Sequence, residues 1–251
     1  MFKKRILLSL ATMVVLVVSI GSCVSVIVDG PRDSWAGVVE HIRPATVQII
    51  IGDVNPVTEE PFILGSGSGF VISEDGLIAT AAHVVDDLDT LYKPWIEVRF
   101  FNGETYEAKW ARGARDHDVG IIKIDAHNLP ILEFENRPIV EGSPILAMGS
   151  NQLSTWAVTD GIISKVEAQY ESKLGHGWLQ MTTTVNPSYS GGPVVNSKGK
   201  VVGIIVGDYT YVNETYVAAM GPVATDVIQG LLSSKNKGKT NIDSNRIYIT
   251  F

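Results

Sequence analysis

The chain is poor in cysteine, in basic residues and in long helical patterns, and each scarcity removes a class of function. Cys23 is the only cysteine, so no internal disulfide framework can form. Lys and Arg number 20 against 27 Asp and Glu, a net charge of -7, and they form no basic cluster; no nucleic-acid partner is expected. There are five histidines. His117, between Asp116 and Asp118, is the one that suggests a metal, but no second cluster adds ligands at usable spacing. No metal and no cofactor are expected. No internal repeat is visible.

What is present describes a globular protein with an apolar addition. The 251 residues are 45% apolar and 19% charged, enough for one large domain or two small ones. The addition is N-terminal. Lys3, Lys4 and Arg5 precede an uncharged run over residues 6–28, so 1–28 reads as a signal peptide or membrane anchor. Residues 20–23, Ile-Gly-Ser-Cys, resemble the bacterial lipoprotein cleavage box, which makes Cys23 the candidate lipidation site. The competing reading is a permanent spanning helix, since the run is long enough to cross a bilayer. Both keep the basic residues inside and put the rest of the chain on the extracytoplasmic, membrane-attached side.

Beyond the anchor, Trp35, Val38, Val39 and Ile42 have helical spacing, capped at Asp33 or Ser34 and closed by Pro44. Short strand-like runs follow at 45–51, 69–73, 77–81, 95–101, 105–110 and 119–124. A second series lies at 144–148, 156–166, 178–184, 194–196, 201–206 and 215–220. Turn signals separate them, among them Glu74-Asp75-Gly76 and Asn102-Gly103. A dozen short strands without intervening long helices predict an all-β, antiparallel architecture of sandwiches or barrels. The Pro- and Gly-containing stretch 129–143 is the natural seam. It divides the chain into an N-terminal half over 34–136 and a C-terminal half over 137–232, whose end (222–232) reads as a closing helix. The tail 233–251 carries no clear pattern.

Residues 186–193, Asn-Pro-Ser-Tyr-Ser-Gly-Gly-Pro, interrupt this strand-rich region. Glycine and proline weaken strand pairing, so the segment predicts a fixed tight loop with a hydroxyl at its apex and backbone N–H groups turned toward one point. That is the equipment of acyl transfer: a nucleophile, Ser190, and donors for the oxyanion that forms on attack. A serine needs a base. His83 follows a strand and is flanked by small and apolar residues; by itself such a histidine is more often a core residue. Asp118 opens the apolar run 119–124, where a carboxylate is costly unless paired, as it is when it holds an imidazole. The order His83, Asp118, Ser190 is that of the chymotrypsin arrangement, and Ser188 breaks the Gly-x-Ser-x-Gly pattern of esterases.

With these residues placed, the chain resembles trypsin-like serine proteases of the HtrA (Deg) type. The likeness is carried by residues 38–44, Gly65-Ser66-Gly67-Ser68-Gly69-Phe70-Val71-Ile72-Ser73, residues 80–85 and 118–124, Val158-Thr159-Asp160-Gly161-Ile162-Ile163-Ser164, and residues 186–193. It runs from about Val38 to Leu232. The resemblance implies two antiparallel β-barrels of the chymotrypsin type with the site in the cleft between them, and metal-free endopeptidase chemistry on polypeptides. His83 is then general base, Asp118 its orienter, Ser190 the nucleophile, and the N–H groups of Ser188 and Ser190 the oxyanion hole. Thr184 falls at the base of the primary specificity pocket, with Ile205, Val206 and Gly207 along the substrate strand. None of these is acidic, so a small or apolar side chain is favoured over lysine or arginine.

Two departures qualify the resemblance. Glycine is usual where this chain has Ser188, and a serine reaches the required backbone conformation at a cost of order 1–3 kcal/mol. The Pro187–Ser188 peptide is therefore expected to rest flipped, with the hole incomplete. Only 19 residues follow Leu232 in this sequence, too few for the peptide-binding PDZ domain that often follows the protease. Oligomerisation is compatible with the sequence, but trimer-linked behaviour is not implied. The expected activity is cleavage of exported or misfolded proteins. The rival is a catalytically silent protein of the same fold that binds exposed polypeptide segments.

Overall fold

The computed structural model describes residues 35–86, 88–150, 156–166, 177–211, 214–221, 223–233, 239–243 and 246–250. The N-terminal run, with Cys23, lies outside the described residues. Among those described, no helix is long and apolar enough to cross a membrane.

Helix α1 (Trp35–Ile42) buries Val38, Val39 and Ile42, the stripe its spacing predicts. It passes through a short 3-10 turn into β1 (Thr46–Val54), where Thr46 Oγ1 donates to the Ile42 carbonyl at 2.9 Å. β1 is followed by β2 (Pro61–Ser73), β3 (Leu77–Thr80), the short helix α2 (Ala82–Val85), β4 (Trp95–Phe100), β5 (Thr105–Ala114) and β6 (Val119–Ile124). The sheet order is β5-β4-β1-β2-β3-β6, and pairing of β5 with β6 closes it into an antiparallel barrel. β4 alternates half-buried and buried side chains with the period of two that one inward face demands.

The second barrel holds β7 (Pro144–Ser150), β8 (Trp156–Val166), β9 (Trp178–Met181), β10 (Pro193–Val195), β11 (Val201–Tyr211) and β12 (Glu214–Met220), closed in the order β10-β11-β12-β9-β8-β7. One apolar cluster fills the first barrel around Phe70, Ile78, Ile121 and Ile122 and continues into Leu146, Met148 and Ile204. A second, around Ile145, Ile163, Leu179 and Val194, fills the other barrel. Fully burying each such side chain contributes about 1.5–3 kcal/mol. These clusters hold the rims that carry the site.

Helix α3 (Val223–Ser233) returns to the first barrel, where buried Arg112 on β5 hydrogen-bonds the Leu231 carbonyl in its last turn and stacks over Trp110. The tail adds a hairpin that its composition does not predict. β13 (Lys239–Asp243) pairs with β5 through Thr240 opposite Ala111, and β14 (Arg246–Thr250) pairs with β13.

Candidate active site

Three loops meet between the barrels. The first leaves β3 through Ala81, in an extended conformation, and turns at once into α2. Ala82, Val84 and Val85 are buried, which leaves His83 as the outward-facing position of that turn, its side chain 49% exposed. The bland reading of His83 as a core histidine does not hold.

The second loop is the turn between β5 and β6, ending at Asp118. Asp118 has a left-handed backbone, φ +49, and its side chain is 13% exposed. Both carboxylate oxygens are engaged: Oδ1 accepts the His83 backbone N–H at 2.8 Å, and Oδ2 lies 2.7 Å from His83 Nδ1. A carboxylate can only accept, so Nδ1 carries the proton and the lone pair is left on Nε2. The hydrogen bond to Asp118 raises the imidazole above its ordinary value of 6.5; partial burial opposes the rise, and the charges of Asp118 and Asp86 add to it.

The third loop carries Ser190. Pro187–Tyr189 form a 3-10 turn, and Ser190 follows it, buried. Strands from both barrels hold this loop. From β2, Ser68 N–H donates to the Ser190 carbonyl and Ser68 Oγ to the Ser188 carbonyl, each at 2.8 Å. From β11, Ile205 accepts the Gly191 N–H at 2.7 Å and donates to the Gly192 carbonyl at 2.9 Å. Gly191 has φ +88, and a Cβ there would collide with the Ser68 carbonyl and the Thr80 hydroxyl, so glycine at 191 is a packing requirement. A Cβ built on Gly67 would lie 2.7 Å from Val84 Cγ1 and 3.2 Å from the Ser190 carbonyl, which puts the loop next to the segment of His83.

Within this arrangement the Ser190 side chain is turned to the second barrel. Its hydroxyl donates to the Val206 carbonyl at 3.1 Å. Val206 is the extra residue of a bulge, since Ile205 pairs with Ala219 and Gly207 with Ala218. The Ser190 N–H donates to the Pro187 carbonyl at 3.2 Å. Ile205 and Val206 are buried, Gly207 is half-buried, and Thr184 is exposed on the segment before the 3-10 turn. Ser188 is half-buried. Sequence reasoning assigned no role to Ser68, whose hydroxyl also accepts the Ser150 N–H at 2.9 Å. The alternation of glycine and serine over residues 65–69 was the available signal.

Two closed antiparallel barrels with a histidine–carboxylate pair on one and a serine loop spanning both define a protein of the chymotrypsin-like fold. The chain belongs to the trypsin-like peptidase domain family, whose pattern it matches over residues 67–204. It is similar to serine protease HTRA1A of Danio rerio, 34% identical over 203 residues that cover 76% of this chain and 41% of that protein. It is also similar to a protein of Halomonas elongata named as a probable periplasmic serine endoprotease, DegP-like, 36% identical over 55% of this chain and 28% of the relative. The crystal structure of the serine endoprotease from Yersinia pestis superposes with a TM-score of 0.65 and 30% identity over 80% of this chain and 67% of that one. The chain thus spans less than half the length of these two sequence relatives. The HtrA-type resemblance and the all-β, two-barrel architecture both hold.

Proposed function

We propose that the protein is a serine endopeptidase in which His83 is the general base, Asp118 orients it and Ser190 is the nucleophile. The observation that carries this reading is the double grip of the Asp118 carboxylate on the backbone and ring of His83. It fixes one tautomer and stabilises the imidazolium that proton uptake creates. Ser190 Oγ attacks the scissile carbonyl carbon while its proton passes to His83 Nε2. The tetrahedral oxyanion takes the N–H groups of Ser188 and Ser190, then collapses. The C–N bond breaks, the amine leaves with the proton from His83, and water hydrolyses the acyl-enzyme by the same steps.

Two local movements precede attack. The Ser190 hydroxyl must rotate from the Val206 carbonyl to His83, and the Pro187 carbonyl must turn away from the Ser190 N–H. The second movement makes both donors available to substrate. These same two contacts are what a silent, peptide-binding protein of this fold would keep permanently, and that is the competing reading.

Thr184, Ile205, Val206 and Gly207 offer no acidic group to a basic side chain, which favours small or apolar residues at the cleavage site. The substrates are exported or misfolded polypeptides, met outside the cytoplasm where the N-terminal run attaches the protein to a membrane through Cys23 or a spanning helix. Cleavage of an unfolded protein tests the reading. Wild type should cut it, and Ser190→Ala and His83→Ala should not while keeping the wild-type circular dichroism spectrum. Unchanged cutting by Ser190→Ala would overturn the mechanism.

A further inference from the structure

His83 and Asp118 lie on separate segments, and a second polar contact joins the same two segments. Asp86 ends α2 in an extended conformation, φ -83 and ψ 167. Its Oδ2 lies 2.9 Å from Arg115 Nε in an ion pair. Arg115 belongs to the turn that ends at Asp118, and its carbonyl accepts the Asp118 N–H at 3.2 Å. The contacts close a ring. The His83 backbone and ring donate to the Asp118 carboxylate, the Asp118 N–H returns to Arg115, and the Arg115 side chain returns to Asp86, three residues beyond His83.

Gly113 gives independent support for a fixed place for Asp86. A Cβ at Gly113 would lie 2.8 Å from Asp86 Oδ1 and 3.0 Å from Ala82 Cβ. β5 therefore runs close against the two ends of α2 because residue 113 has no side chain. Asp118, with φ +49, lies in the left-handed region, which aspartate tolerates better than most residues, and its N–H bond to the Arg115 carbonyl fixes the turn there. Arg115 is 65% exposed, and exposed ion pairs contribute little to global stability, so the consequence of this one is geometric.

We propose that Asp86 and Arg115 form a positioning clamp for the His83–Asp118 dyad, tying the end of α2 to the turn that presents Asp118. The clamp keeps Asp118 in the left-handed conformation from which one carboxylate reaches both the backbone and the ring of His83. The proposal rests on the catalytic reading of His83, Asp118 and Ser190 given above. The carboxylates acting on the His83 ring are Asp118, from the turn before β6, and Asp86, from its own segment; Arg115 faces Asp86.

The test measures kcat and KM against pH on one peptide substrate for wild type, Arg115→Ala, Arg115→Lys, Asp86→Asn and the Asp86→Asn/Arg115→Ala double variant, with Ser190→Ala as the blank. Arg115→Ala should lower kcat about 10- to 100-fold with KM little changed, since misplacement of a catalytic group acts on the chemical step. Arg115→Lys should recover most of the loss because it keeps a cation opposite Asp86. Asp86→Asn should lower kcat similarly and move the acidic limb to lower pH, because the imidazole loses one nearby negative charge. The double variant should be no worse than the poorer single one, the mark of two residues acting as one device. NMR titration of the His83 ring in Asp86→Asn reads the same downward shift without turnover. Unchanged kcat in Arg115→Ala would overturn the clamp whether or not the imidazole shifts in Asp86→Asn, because that shift follows from the lost charge alone. Turnover persisting in Ser190→Ala would instead overturn the catalytic reading, so the two failures are distinguishable.

Discussion

The backbone N–H of Ser190 donates to the carbonyl oxygen of Pro187 at 3.2 Å, so the group proposed as an oxyanion donor is engaged inside its own loop. The Pro187–Tyr189 3-10 turn produces this contact, and Ser188 lies in the middle of that turn. Glycine at 188 makes the alternative backbone conformation accessible. Ser188→Gly is therefore expected to raise kcat on a small ester or peptide at saturating substrate. A fully missing oxyanion donor costs about 2.7–4 kcal/mol, so even a partial shift toward the open loop is measurable as a severalfold gain. Equal turnover in the two proteins would show that the loop opens freely with serine.

The acid limb of the pH–rate profile should report His83. The base works only when neutral, and its hydrogen bond to Asp118 raises its pKa, so kcat/KM should rise with pH through a midpoint above 6.5. Asp118→Asn removes the charge that holds the Nδ1 proton and permits the wrong tautomer; a loss of about 10⁴-fold in kcat is the expected scale. A midpoint below 6.5 in wild type, or a loss of less than tenfold in Asp118→Asn, would contradict the assigned roles.

Asp53 makes a separate prediction about stability. Its oxygens accept the N–H groups of Lys93 at 2.6 Å, Val54 at 2.8 Å and Tyr92 at 3.0 Å, anchoring the loop before β4 to the end of β1. Burial pushes the carboxyl up, but the donors of Lys93, Tyr92 and Val54 outweigh it and hold it below 3.8. A carboxyl with a depressed folded pKa stabilises fully above its unfolded value, and the contribution fades as pH falls through the folded value. Asp53→Ala should cost about 1–3 kcal/mol in urea unfolding at pH 7, the scale of hydrogen bonds to a charged group. The gap to wild type should narrow on acidification to about pH 3, below the unfolded value. A gap independent of pH would show that the ionised carboxylate is not the source.

Attachment is tested at Cys23. If this thiol is lipidated, mass spectrometry of the mature protein finds an acylated Cys23 as its first residue, and Cys23→Ser leaves the leader uncleaved before that position. A start at Met1 with unmodified Cys23 supports the spanning helix.

Much of the architecture was legible because turns punctuate the strands. Gly76 and Gly103, in the turns expected from Glu74-Asp75-Gly76 and Asn102-Gly103, have φ +95 and +90. The strand expected over 156–166 is β8 with the same bounds. β2 begins at Pro61, ahead of the strand expected from 69, because Pro61 and the glycines at 65 and 67 resemble a loop, while pairing with β1 on one side and contact with the Ser190 loop impose a strand. β13 and β14 were missed because pairing with a distant edge leaves no local pattern. In the site, residue type and order pointed to His83, Asp118 and Ser190. The bond from the Ser190 hydroxyl to the Val206 carbonyl, the role of Ser68 and the Asp86–Arg115 pair depend on contacts between segments distant in sequence.

The most direct test of Ser190 as an activated nucleophile is covalent labelling by a fluorophosphonate, with the adduct mapped by peptide mass spectrometry. A single adduct on Ser190 is expected in the folded protein, formed faster in Ser188→Gly, absent in Ser190→Ala and strongly slowed in His83→Ala. No adduct in either wild type or Ser188→Gly, or labelling of Ser190 at the wild-type rate in His83→Ala, would contradict it.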